Sequence, residues 1–259
     1  MPEQETDPAL VIPKALLSAW GAHPVSRKGP RPSLTVGRIV EVAVGLGDRH
    51  GPGAITMSRT AAELGVGTMS LYRYVESRAD LLLLAVDAAL GSPPPPAGAT
   101  WRERTAELAR GLRRVYRAHP WAAEVPVTAE PLAPSFVRWT EEGLAALEET
   151  GLDVSDRAQI LILLWTYARA EGELAGDQAR VRASEEMDAA TAHRAFGHRL
   201  RTLVPEDAFP RVRELLAADL LSPERAARAD DPAQDEAEFD LAVGLILDGV
   251  AARAARRGD

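Results

Sequence analysis

The chain contains no cysteine, which excludes disulfides and thiolate metal sites and leaves the redox compartment open. Aromatic residues make up only 5%, and Ile and Thr are sparse beside Ala, Leu, Arg and Glu. That balance favours helix over sheet on intrinsic propensity. Long apolar runs are missing too. The longest, Ile160 to Trp165, falls far short of the roughly 20 residues that a membrane helix requires. The opening MPEQETDPAL is acidic and leads into no apolar stretch, so no secretory leader is expected and a soluble cytoplasmic protein is. Catalytic signatures are equally absent. No GxSxG, HExxH, Walker A or GxGxxG pattern occurs, and the histidines lie in no triad-like context. His193 and His198 are five apart, off the three- or four-residue spacing that would put both on one helix face. An enzyme, a metal site or a cofactor is therefore not expected.

What is present is apolar mass and an uneven charge. Hydrophobic residues form 46% of 259, enough for a sizeable core in one large domain or two small ones. The net charge is −8, which argues against a general polyanion binder. Residues 92–259 carry all of that excess, and residues 24–78 instead hold eight basic against four acidic side chains, a net of +4. A small basic island on an acidic body fits a localised anionic partner.

Residues 1–33 are rich in Pro and polar residues, with one apolar patch at Leu10–Trp20, and are expected to form a flexible arm. Its last part, SRKGPRPS, contains Arg27, Lys28 and Arg31. It is either a solvated linker or an auxiliary DNA arm of the kind that enters a minor groove. From Thr35, a plausible N-cap, Ile39, Val40, Ala43 and Leu46 recur at helical spacing. HGPG (His50–Gly53) stops that helix. Thr56 caps a second, Met57 to Leu64, which Gly65 ends in a left-handed cap. A third runs from about Gly67 to Tyr74, and a fourth begins near Arg78. GSPPPPAGA then breaks the pattern, with a linker over 92–100 and a domain boundary there. Beyond it, helices are expected at about Trp101–Ala118, Ser135–Thr150, Ser155–Ala183, Met187–Leu203, Asp207–Leu220 and Gln234–Arg256. No hairpin or alternating pattern appears, so the fold class is all-α.

Two short helices joined by a Gly-containing turn form a helix-turn-helix, whose second helix enters the major groove. In LGVGTMSLYRYVESR (Leu64 to Arg78), Thr68 and Ser70 are short hydroxyls able to reach base edges, and Met69 lies between them. Tyr72 and Tyr74 offer phenolic donors to phosphate, one of them partly structural. Arg73 could bind guanine bidentately or pair with phosphate, Leu71 and Val75 face inward, and Arg78 would stand beside the backbone. The run LTVGRIVEVAVGLGDRHGPGAITMSRTAAELGVGTMSLYRYVESRADLLLLAVDAAL resembles the DNA-binding domain of the tetracycline-repressor (TetR) family. GPGAIT, AAELGVGTMSLYRYV and the LL of the fourth helix fall in that family's order. The resemblance implies an N-terminal three-helix helix-turn-helix domain over 34–91, followed by a larger helical ligand-binding and dimerisation domain over 101–259. It places Thr68, Ser70, Tyr72, Arg73, Tyr74 and Arg78 at family DNA-contact positions, with Thr56 and Ser58 contributing from helix two. Thr60 stands where the family is usually aliphatic, and Glu76 adds an acid close to the phosphate track.

The C-terminal half resembles tetracycline-repressor-like members more loosely, through AHPWAAEVP, SFVRWTEEGLAALEETGL and FDLAVGLILDGV. Helix 155–183 opens apolar nearly all round, as a helix buried on several sides would. The last helix lines up Phe239, Ala242, Val243, Ile246, Gly249 and Val250. By resemblance, these two helices form a four-helix dimer interface with a second copy; an intrachain packing stripe is the alternative. Aromatic residues concentrate in this half. Trp139, Trp165, Tyr167, Tyr116, His119, Phe136 and His193 are candidate contacts for an apolar or aromatic small-molecule effector, although such side chains are more often core. The expectation is a ligand-responsive repressor that binds double-stranded DNA at a palindromic operator as a homodimer, with an activator or multi-target regulator on the same scaffold as the alternative.

Overall fold

The computed structural model describes residues 12, 14–22, 34–95, 97–126, 132–205, 207–217 and 231–258. Among these residues there are helices and turns and no strand, and no helix is long and apolar enough to cross a membrane. By contacts the chain divides into two compact units, residues 1–173 and 174–259.

In the first unit, α1 (Lys14–Ala19), α2 (Val36–His50), α3 (Met57–Glu63), α4 (Thr68–Leu71) and α5 (Arg78–Leu90) come first. Their limits follow from local chemistry. The Arg38 N–H donates to Thr35 Oγ1 at 3.2 Å, the Arg59 N–H to Thr56 Oγ1 at 3.2 Å and the Asp80 N–H to Ser77 Oγ at 3.0 Å, three N-caps that satisfy otherwise orphaned donors. Gly65 ends α3 at φ +68°, the left-handed cap expected there. The third helix read in the sequence is shorter than its pattern indicated: α4 stops at Leu71, not Tyr74. Both the Tyr74 and Val75 N–H groups donate to the Leu71 carbonyl, at 2.8 and 3.0 Å. That tightened turn lets Leu71 and Val75 enter the core together.

The segment before Leu34 also departs from expectation. Ala15 and Leu16 of α1 are buried, and α1 packs on α5. KALLSA contains no helix breaker and offers a small apolar face, which the proline content around it obscured. The basic residues Arg27, Lys28 and Arg31 lie outside the described residues.

After the proline-rich segment come α6 (Trp101–Ala118), α7 (Pro120–Glu124), α8 (Pro134–Ala146) and the long α9 (Val154–Ser184). Thr100 and Glu103 form a reciprocal capping box at the start of α6. The contact division falls inside α9, not at residues 92–100. The reason is packing across that segment, of α5 on α6 and α8 and of α2 on α7. Trp121 of α7 enters the same core as Ile39, Leu46, Leu71 and Leu81. A Cβ on Gly47 would stand 2.5 Å from the Trp121 ring, so only glycine admits it.

The second unit contains the end of α9, α10 (Ala189–Leu203), α11 (Pro210–Ala217) and α12 (Pro232–Gly258). In α12 the buried line is Phe239, Val243, Leu247 and Val250, whereas Leu241 and Leu245 are exposed. The buried stripe is thus turned slightly from the one read in the sequence.

Candidate nucleic-acid interface and effector cavity

The first unit presents a polar and aromatic face at α3 and α4. Met69 is 78% exposed and Tyr72 45% exposed. Ser58 and Arg73 are exposed beside them, and Thr68 and Ser70 are half-buried. Tyr74 differs from Tyr72, because it packs against the core, so it is the more structural of the two tyrosines.

Two further expected contacts already have partners within the fold. The Thr56 hydroxyl caps α3 and lies 3.4 Å from Ser58 Oγ. Arg78 donates through Nε to the Ile55 carbonyl at 2.9 Å and through an Nη to the Pro52 carbonyl at 3.0 Å. It fastens the turn between α2 and α3 to the start of α5, while its charge stays at the exposed surface. Glu76, the acid near this face, is paired with Lys14 of α1, whose ammonium is held protonated more strongly than usual by that carboxylate.

The same unit contains a cavity of about 310 Å³. Tyr116, Phe136, Trp139 and Trp165, all expected from the sequence, line it. Leu90, Leu112, Ile162, Thr166 and Arg169 complete the lining and were not foreseen. The signal for three of them was available, since 162, 165, 166 and 169 recur at helical spacing on one face of α9. Phe136 and Trp165 meet edge to face with centroids 4.3 Å apart. Burial pushes the Tyr116 phenol above its ordinary pKa, against a smaller opposing pull from Arg169, so it stays a neutral donor. Tyr167 and His193 line neither this cavity nor its neighbour. Tyr167 lies one step round α9 from Thr166, off the lining face, and His193 belongs to α10 of the second unit.

The neighbouring cavity, about 330 Å³, shares Trp139 and is also bordered by Arg114 and His119. Its residues tie the cavities to the helix-turn-helix. One oxygen of Asp48, at the end of α2, lies 2.7 Å from His119 Nδ1 and accepts from Trp121 Nε1 at 2.7 Å. Trp139 Nε1 donates toward the Leu90 and Gly91 carbonyls that close α5, at 3.3 and 3.2 Å. Asp87 of α5 accepts from the Ser135 N–H at 2.7 Å. Its carboxyl is nevertheless pushed above the usual range, because burial outweighs that bond. No cluster of His, Cys, Asp and Glu among the described residues could hold a metal ion.

Comparison with known proteins places this arrangement. Residues 93–254 match the model of the tetracyclin repressor-like C-terminal domain. A helix-turn-helix-type transcriptional repressor of Streptomyces coeruleorubidus, DrrR1, is 35% identical over 166 residues, covering 63% of this chain and 62% of that protein. A helix-turn-helix-type transcriptional regulator of Saccharopolyspora erythraea is 35% identical over 136 residues, covering 52% and 58%. The matches thus span about three-fifths of the length of these relatives. Among solved structures, apo ActR of Streptomyces coelicolor aligns over 88% of this chain and 100% of its own at 28% identity, with TM-score 0.68. The same protein, described as a TetR family protein, in complex with actinorhodin aligns over 86% and 97% at 30% identity, with TM-score 0.66.

Proposed function

The chain belongs to the tetracycline-repressor family, and on that premise we propose that it is a cytoplasmic, ligand-responsive transcriptional regulator that represses its targets as a homodimer on a palindromic operator. The observation that carries the reading is the exposure of Met69 on α4 and of Tyr72 and Arg73 just after it, while Leu71 and Val75 lock this segment to the core. In this reading Tyr72 and Arg73 contact DNA, with Thr68, Ser70 and Ser58 at the edges of the footprint. Thr56, Tyr74 and Arg78 act mainly by holding the helices in place. The domain limits expected from sequence, 34–91 for DNA binding and 101–259 for effector binding and dimerisation, are kept as part of the proposal.

Dimerisation is supported by exposed apolar side chains with no described cover. On α9 these are Ile162, Leu163, Leu174 and Val181, and on α12 Leu241 and Leu245. Gly249, two turns after Leu241, has open space about it. Closed two-fold assembly is the commonest way to bury such faces. The effector is a small apolar or aromatic molecule in the cavity lined by Phe136, Trp139 and Trp165. That the ActR neighbour is described with actinorhodin supports the assignment. Binding there reaches α5 through Trp139, and the neighbouring cavity reaches α2 through His119 and Asp48.

Selection of bound duplexes from a random library, followed by footprinting, tests the reading. A two-fold symmetric site with half-sites about one DNA turn, 34–36 Å, apart is expected. Enrichment of no sequence, or of a single half-site bound by a monomer, would overturn it. Transcripts from a deletion strain separate repression, in which targets rise, from activation, in which they fall.

A further inference from the structure

Among the described residues the apolar cavity contains one formal charge, that of Arg169, and no described carboxylate is paired with it. Arg169 donates through Nε to the Ala123 carbonyl at 3.0 Å, and through one Nη to the Ala123 and Val125 carbonyls at 2.8 and 2.7 Å. These neutral oxygens at the end of α7 fix the guanidinium without cancelling its charge. The acid two residues along, Glu171, is engaged by Arg113 at 3.1 Å and Arg117 at 2.8 Å. Neither cavity has an Asp or Glu in its lining. The Thr166 hydroxyl is already donated to the Ile162 carbonyl at 2.7 Å, and the Trp139 indole N–H to the carbonyls that close α5. Tyr116, kept protonated by burial, is a neutral polar donor of the chamber.

A cation held among aromatic rings in a low-dielectric wall attracts an anion and repels another cation far more strongly than it would in water. From this we infer that the cavity selects an aromatic acid: a planar ring system packed against Phe136, Trp139 and Trp165, whose carboxylate or phenolate pairs with Arg169 and accepts from the Tyr116 hydroxyl. The inference rests on the reading of this cavity as the effector site, and it specifies that effector's charge.

The test uses the full chain and three probes of one shape: 9-anthracenecarboxylate, 9-methylanthracene and 9-anthracenemethylammonium. Calorimetric or fluorescence titration should rank the carboxylate about tenfold or more ahead of the neutral compound, with the ammonium weakest, the scale of one charge-assisted hydrogen bond. Arg169→Met should reduce the carboxylate to the neutral compound's affinity, Arg169→Lys should retain part of the preference, and Arg114→Met should leave it unchanged. Because Arg169 also holds α7, thermal unfolding of each variant is measured alongside. If Arg169→Met does not fold, the ranking of the three probes on the unmodified protein decides by itself. An ammonium bound as tightly as the carboxylate, no binding by any probe, or an intact preference in a folded Arg169→Met protein would overturn the inference. Carboxylate binding that fails to change affinity for the selected duplex would instead sink the effector reading and leave the charge selectivity standing.

Discussion

The exposed face at α3–α4, proposed to read DNA, and the cavity lined from α5, α6, α8 and α9 belong to one compact unit, yet they are specified in different ways. The face is written over a single stretch of chain: Thr56, Gly65, Ser77 and the inward Leu71 and Val75 set its geometry through bonds to near neighbours. The cavity is assembled from α5, α6, α8 and α9, so its shape depends on how four separated segments pack. Side chains on the face can change with little consequence for folding, whereas the residues that join the face to the cavity cannot. Between the two stands a seam of Asp48, Trp121 and Gly47, where α2 meets α7.

The seam predicts the largest effect. Gly47→Val pushes a branched side chain into the fully buried Trp121 ring and should cost about 3 kcal/mol, the upper range for overpacking. Urea unfolding measures it. A midpoint close to that of the unmodified protein would show that α7 can move away from α2, and that the two regions do not share a rigid core.

Substitutions on the reading face should do the opposite, weakening DNA binding while sparing the fold. Tyr72→Phe removes one phenolic donor, proposed to reach phosphate, and should cost about 1.5–3 kcal/mol on operator and non-operator DNA alike. Arg73→Ala should cost about 1–3 kcal/mol at one base pair if the side chain reads guanine, and a uniform loss with a shallower salt slope if it touches only phosphate. Fluorescence anisotropy with operator and scrambled duplexes at two salt concentrations distinguishes these results. Wild-type binding by both folded variants would place the reading helix elsewhere.

Thr60 offers a smaller change in the other direction. It is fully buried in α3, and its hydroxyl has no hydrogen-bond partner. Thr60→Val should therefore stabilise the fold by about 1 kcal/mol and leave DNA affinity alone. A lower melting temperature would mean that the hydroxyl is satisfied after all.

The smallest effect belongs to Asp87, on the cavity side. Its folded pKa lies above the ordinary 3.8, so the native state takes up its proton more readily than the unfolded chain. Its contribution is complete in acid below the unfolded value and is lost as pH rises through the raised folded one. Asp87→Asn, which cannot ionise, should gain in melting temperature relative to the unmodified protein as pH rises above the ordinary carboxylate value of 3.8. A difference constant across that rise in pH would remove Asp87 as the source.

The helices that build the exposed α3–α4 face were legible because caps, left-handed glycine and inward apolar pairs are short-range signals. The helix limits at Trp101 and Ala118 were legible for the same reason. Four of the seven expected cavity residues, Tyr116, Phe136, Trp139 and Trp165, do line one chamber, since bulky aromatics mark the interior of a helical body. Arg169 was missed because its place is set by carbonyls 44 and 46 residues away in the chain. Asp48 was passed over, and the carbonyl partners of Arg78 were not foreseen, for a related reason: the group that folds over a charged side chain on a helix comes from a separate segment. Helix α1 escaped notice because its six residues acquire their meaning only from α5.

The pairing of Lys14 with Glu76 extends α1's part beyond packing. When a protein docks on DNA, the cations condensed around the phosphates are released, and each acid at the interface must find a new counterion or be endured. Glu76 brings its own, delivered by a helix that precedes the whole DNA-binding motif in the chain. Cutting away residues 1–32 would therefore strip α5 of a packing partner and leave Glu76 without its cation on the face proposed to meet the duplex, quite apart from any contact made by Arg27, Lys28 or Arg31. In truncation experiments the front of this chain counts as ballast for the reading head, and its basic residues are to be weighed by neutralising them in place.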